Sequence, residues 1–118
     1  MPAEFSKFWK FNQKTGKLEP IDDGPGEQAY PVVLATESGG HAMGIYSPDQ
    51  PSRGFEGAGY GRFRFAHEKV VKWNCVFRVR DPRRVADRNY HYRMDVAVGS
   101  LEDVRHALVV LTAPTTRR

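Results

Sequence analysis

The stretch Tyr60–Arg80, YGRFRFAHEKVVKWNCVFRVR, decides the fold class. Its first half alternates, with Phe63 and Phe65 on one side and Arg62 and Arg64 on the other. Its second half sets Val71, Trp73, Cys75, Phe77 and Val79 against Lys72, Asn74, Arg78 and Arg80, with Val70 and Val76 on the polar side. A two-residue period over runs of this length predicts β-strands, each with one face on a core and one in water. His67 and Glu68 sit between the runs as the tip of a tight connection, so the stretch reads as an antiparallel hairpin. Phe63 and Phe65 are expected in the core, and the arginines on the solvated face.

Similar runs recur on both sides. EFSKFWKF, Glu4–Phe11, places Phe5, Trp9 and Phe11 on one side, although Phe8 blurs the alternation. NQKTG has turn chemistry and KLEPI returns the chain. Asp22–Gln28 reads as a loop. YPVVLAT and HAMGIYS are strands around an ESGG turn, whose glycines take positive φ at little cost. Pro48–Gly59 holds two prolines and three glycines and reads as a long surface loop, mobile and adjacent to the strand that begins near Tyr60. RRVAD could form a helical turn. YHYRMDVAV alternates again, with Tyr90, Tyr92, Met94, Val96 and Val98 against His91, Arg93, Asp95 and Ala97.

GSLEDVRHALVVL is the one good helix. Ser100 stands as N-cap with Asp103 three residues on, and Leu101, Val104, Leu108 and Leu111 form an apolar stripe. The pattern is all-β: an antiparallel β-sandwich or flattened barrel of about seven to eight strands with one C-terminal α-helix. Residues 1–113 form a single domain and 114–118 a flexible tail. The chain of 118 residues has room for one core.

Eighteen basic residues against fourteen acidic leave a formal charge of +4, which favours anionic partners: a glycan, a phosphorylated small molecule or nucleic acid. One cysteine, Cys75, excludes an internal disulfide and a multi-thiolate metal site within one chain. It alternates with Trp73 and Phe77 and reads as a small buried hydrophobe. No apolar run reaches the ~20 residues that span a bilayer, and MPAEFSKFWKF lacks the layout of a signal peptide. An intracellular setting without a membrane partner is the expectation.

GYGRFRF resembles part of the RNA-recognition-motif signature at Gly59, Tyr60, Gly61 and Phe65. Ala58 stands where a basic residue belongs and Arg62 where a stacking phenylalanine belongs, and the two helices of that fold have no counterpart. FWKFN likewise echoes the cold-shock family at the wrong separation. Both likenesses read as coincidence. HEKVV starts as a zinc-protease motif but has Val71 in place of the second histidine. No cofactor, metal site or catalytic set is expected.

The polar strand face carries the functional expectation. If the three later strands are neighbours, Arg62, Arg64, Lys72, Asn74, Arg78, His91, Arg93 and Asp95 share one surface, and guanidinium forks suit carboxylate or phosphate. Tyr60 and Phe55 could stack on a sugar, with Arg53 closing from the long loop. The leading expectation is a non-catalytic carbohydrate-binding domain that favours acidic glycans. The other readings are single-stranded nucleic-acid binding on the same face, a homo-oligomeric or protein-interaction domain, and a small enzyme using His41, His67 or His91 as acid or base.

Overall fold

The computed structural model describes residues 1–52, 56–78 and 91–114. The strands are β1 (Lys7–Asn12), β2 (Lys17–Ile21), β3 (Gly26–Gln28), β4 (Val32–Ala35), β5 (Ala42–Tyr46), β6 (Tyr60–Phe65), β7 (Val70–Cys75) and β8 (Asp95–Gly99), and helix α1 (Leu101–Thr112) follows. They form two antiparallel sheets, one ordered β2-β1-β4-β5-β8 and one ordered β3-β6-β7. Among the described residues both sheets keep open edges, so the arrangement is the sandwich and not a closed barrel.

The larger sheet is the middle layer. β4 is buried along its whole length, as its unbroken Val32-Val33-Leu34-Ala35 run requires. Val33 and Ala35 join Phe11, Ala97, Val104 and Leu108 in the core beneath the helix. Val32 and Leu34 join Phe8, Ile45, Tyr60 and Val71 in the core between the sheets. Phe8 blurs the pattern of β1 for the same reason: that strand lies between β2 and β4 and has apolar layers on both faces. Phe5 precedes the strand and packs with Phe8, not with Phe11.

The helix forms where expected. Ser100 Oγ accepts from the Asp103 N–H at 3.1 Å, and Asp103 Oδ2 accepts from the Ser100 N–H at 3.1 Å. This reciprocal box satisfies two groups at the first turn that would otherwise lack partners. Val104 and Leu108 are its buried residues. Gly44 admits the helix: a β-carbon there would lie 2.9 Å from Val104 Cγ1 and 3.0 Å from Val33 Cγ2.

The smaller sheet is tied down at three places. Trp73 Nε1 donates to the Met43 carbonyl at 3.1 Å. Tyr60 Oη accepts the Ser47 N–H at 3.0 Å. Met1–Ala3 run along one edge of β7, where the Met1 carbonyl accepts the Val71 N–H at 2.9 Å. Asp22–Gln28 was expected as a loop throughout, but Gly26–Gln28 adds to β6 as β3.

Two strand faces differ from expectation. In β6, Arg62 pairs with Trp73 and Arg64 with Val71, so the arginines lie on the inner side with Tyr60. Phe63 pairs with Lys72 and Phe65 with Val70 on the outer side. In β8, Ala97 is buried under the helix, while Val96 and Val98 are exposed. The first reversal follows from acidic partners for the arginines, the second from the position of β8 at a sheet edge. Tyr90 and the RRVAD turn lie outside the described residues, as does 115–118 of the tail.

Candidate ligand-binding face

Arg62 and Arg64 bind the protein itself. Arg62 Nε donates to the Asp22 carbonyl at 2.8 Å, Nη2 to Asp22 Oδ1 at 2.8 Å and Nη1 to Gln28 Oε1 at 2.9 Å. Arg64 Nε donates to Asp23 Oδ2 at 2.5 Å, and its Nη2 to the Ser6 carbonyl at 3.1 Å. Both stems lie along the edge of the inter-sheet core, with the Arg64 guanidinium 5.5 Å from the centre of the Phe8 ring. The Arg62 hydrogen bond, helped by the Gly24 N–H and the guanidinium charge, holds the Asp22 carboxyl below the usual carboxylate range. The two guanidiniums therefore staple the β2–β3 connection and the segment before β1 onto the smaller sheet.

The supposed common basic surface is divided. Lys72 and Asn74 share the outer face of the smaller sheet. Arg62 and Arg64 lie on its inner side, and Arg93 and His91 precede β8 of the other sheet. Arg93 N–H donates to Asp49 Oδ2 at 2.7 Å, and its side chain binds Asp95 Oδ1 at 3.2 Å. Tyr60 is buried with its hydroxyl engaged by Ser47, so it offers no ring to a ligand. Arg53 and Phe55 lie outside the described residues.

The outer face of the smaller sheet carries a different set. Phe63 and Phe65, two apart on one strand, hold their rings 17° from parallel with centroids 6.1 Å apart. Lys72 Nζ lies 5.2 Å from the Phe63 centroid and 5.5 Å from that of Phe65. Phe65 is 39% exposed and Val70 37% on this face. Asn74 lies across Gly61, where its Oδ1 occupies the place a β-carbon would take. That oxygen is buried and has no hydrogen-bond partner among the described residues. Gly61 lets the Asn74 amide settle beside Phe63, whose ring would also crowd a β-carbon there at 3.1 Å.

The part of the Pro48–Gly59 loop that is described is anchored. Gln50 Nε2 donates to the Val76 carbonyl at 2.6 Å and the Gly59 carbonyl at 3.2 Å, and Ser52 is buried. Cys75 is half-buried next to this amide, and burial raises its thiol pKa. That setting suits packing better than nucleophilic chemistry. His41, His67 and His91 are exposed. Among the described residues, no three metal-binding side chains cluster.

Phe63 and Phe65 were missed as surface residues because an alternating Arg-Phe strand fits either orientation. One signal was present. Tyr60 shares the side of Arg62 and Arg64 in a two-residue period, and the paired acids Asp22-Asp23 stand ready to receive two guanidiniums. The chain matches no family model, no curated protein sequence and no solved structure.

Proposed function

We propose that this chain is a non-catalytic domain that binds single-stranded nucleic acid on the outer face of the β3-β6-β7 sheet. The observation that carries this reading is the near-parallel Phe63–Phe65 pair with Lys72 over it. Bases stack on aromatic plates whatever their sequence, and a neighbouring ammonium serves the phosphates. In this reading a base takes the place of the Lys72 ammonium over a phenyl ring, and the ammonium swings to the backbone. Two near-parallel rings 6.1 Å apart suit bases, which stack on aromatic faces, better than a single sugar.

The charge distribution supports the same reading. Residues 78–88, which follow the platform strand β7, include Arg78, Arg80, Arg83, Arg84 and Arg88 against Asp81 and Asp87. Such a stretch draws a polyanion at long range. An acidic glycan held by Arg62, Arg64, Lys72, Asn74 and Arg93 together is less favoured, because a ligand carboxylate would have to displace Asp22 and Asp23 from the first two.

The test is fluorescence anisotropy with a short single-stranded oligonucleotide at low salt, beside an acidic oligosaccharide. The expected result is oligonucleotide binding that weakens steeply with added salt, and weaker binding by Phe63→Ala and Phe65→Ala. Stacking is worth about 1–3 kcal/mol per base. Undetectable binding at low salt, or binding indifferent to both substitutions, would overturn the proposal.

A further inference from the structure

Among the described residues, the larger sheet has two open edges of different character. β2 carries Lys17, Glu19 and Pro20, residues that discourage another strand from pairing. β8, Asp-Val-Ala-Val-Gly, has neither proline nor lysine. Its pairing with Ile45 and Met43 places Val96 and Val98 on the side of the smaller sheet. That sheet packs on β4 and β5 and leaves Val96 49% and Val98 69% exposed. Met94 and Tyr92, just before the strand, are exposed too, with Tyr92 stacked on Phe77. Among the described residues, no strand pairs with the outer edge of β8, and that backbone edge coincides with an uncovered apolar row.

We infer that β8 is the seam of a homodimer, in which two copies pair antiparallel about a two-fold axis at Val96 and join their larger sheets. The strand is its own complement in this register. Val96 faces Val96, Met94 faces Val98, and Asp95 faces Ala97, so apolar side chains meet on one face and no like charges oppose. Arg93 faces Gly99 of the second copy. Its side chain is held on the Asp95 side of the strand, the side that carries the helix, because Ala97 packs there. That places the Arg93–Asp95 pair at the end of the strand that leads into the other copy's helix, whose first turn carries Glu102, paired with its own Arg105, and Asp103, which caps the helix. Self-complementary apolar matching, with no like charges opposed, selects a second copy over an unrelated strand. The seam is separate from the Phe63–Phe65 platform, so either proposal can fail alone.

Sedimentation equilibrium of the full chain tests the seam. The expected mass is twice the 13.4 kDa of one chain. Val96→Lys and Val98→Lys should each return the mass of one chain, whereas Val110→Lys, at a helix position 62% exposed, should leave the dimer intact. Oxidation of Val96→Cys should give a disulfide-linked dimer readily and that of Val98→Cys slowly, since only Val96 meets itself across the axis. A wild-type chain that remains single at every concentration overturns the inference. So does a dimer that survives both lysine substitutions, or cross-linking at Val98→Cys in preference to Val96→Cys.

Discussion

Arg62 holds Asp22 by two hydrogen bonds of 2.8 Å, one to its carbonyl and one to its carboxylate, across forty residues of sequence. The carboxyl pKa is depressed chiefly by that bond. A depressed folded pKa contributes stability above the unfolded value, near about 3.9 for aspartate, and that contribution is lost as pH falls through the folded value. The melting temperature should therefore fall on acidification below about pH 4 by less in Asp22→Asn than in the wild type. Asp22 is exposed, so the difference should be small and should shrink further in high salt. An identical acid profile for the two proteins would remove the pair from the account.

Tyr60→Phe probes the link between the sheets. The hydroxyl accepts the Ser47 N–H in a buried setting, and burial holds the phenol pKa well above its usual value. Without the hydroxyl the Ser47 N–H loses its partner, at a cost of about 1–3 kcal/mol. Urea unfolding should show a lower midpoint with an unchanged slope.

Gly44→Ala tests the approach of the helix. The new methyl would meet Val104 and Val33 at 2.9 and 3.0 Å, and both neighbours are fully buried. Overpacking of this kind costs about 1–3 kcal/mol. Val110→Ser on the exposed side of the same helix should stay within about 0.5 kcal/mol of wild type. Thermal or urea unfolding of both variants makes the comparison.

Lys72→Gln and Phe65→Ala separate charge from stacking in the proposed nucleic-acid site. Loss of one phosphate contact should lower the slope of log K against log salt by about 0.7 for a single strand. Phe65→Ala should weaken binding at every salt concentration and leave the slope alone. Anisotropy titrations over a salt series read both effects, and equal slopes for wild type and Lys72→Gln would exclude Lys72 from the contact.

The sequence is a sound guide where a local rule governs. The Ser100–Asp103 box and the Val104/Leu108 stripe set the helix, because capping and a 3.6-residue period operate within a few residues. The inward side of β7 was legible because Val71, Trp73 and Cys75 leave no polar alternative on that face. The inner core strand β4 was legible as an unbroken apolar run.

The candidate site was legible only as a short list. Lys72 and Asn74 lie on the face expected of them, and Phe63 and Phe65 do not. Alternation within β6 states that its arginines and phenylalanines take opposite sides, yet it carries no sign of which side is inner. Arginine can bury its stem and keep its charge satisfied, so acids forty residues away settle the question. In β8 the alternation is again correct and its sense reversed, because the smaller sheet stops over β5 and a helix covers the alanine instead. The sequence by itself determined the strands other than β3, their two-residue period and the helix, all products of short-range sterics and hydrogen bonding. Only the tertiary structure decided which face of each strand meets water, since burial depends on what layer lies above a residue and not on the residue alone.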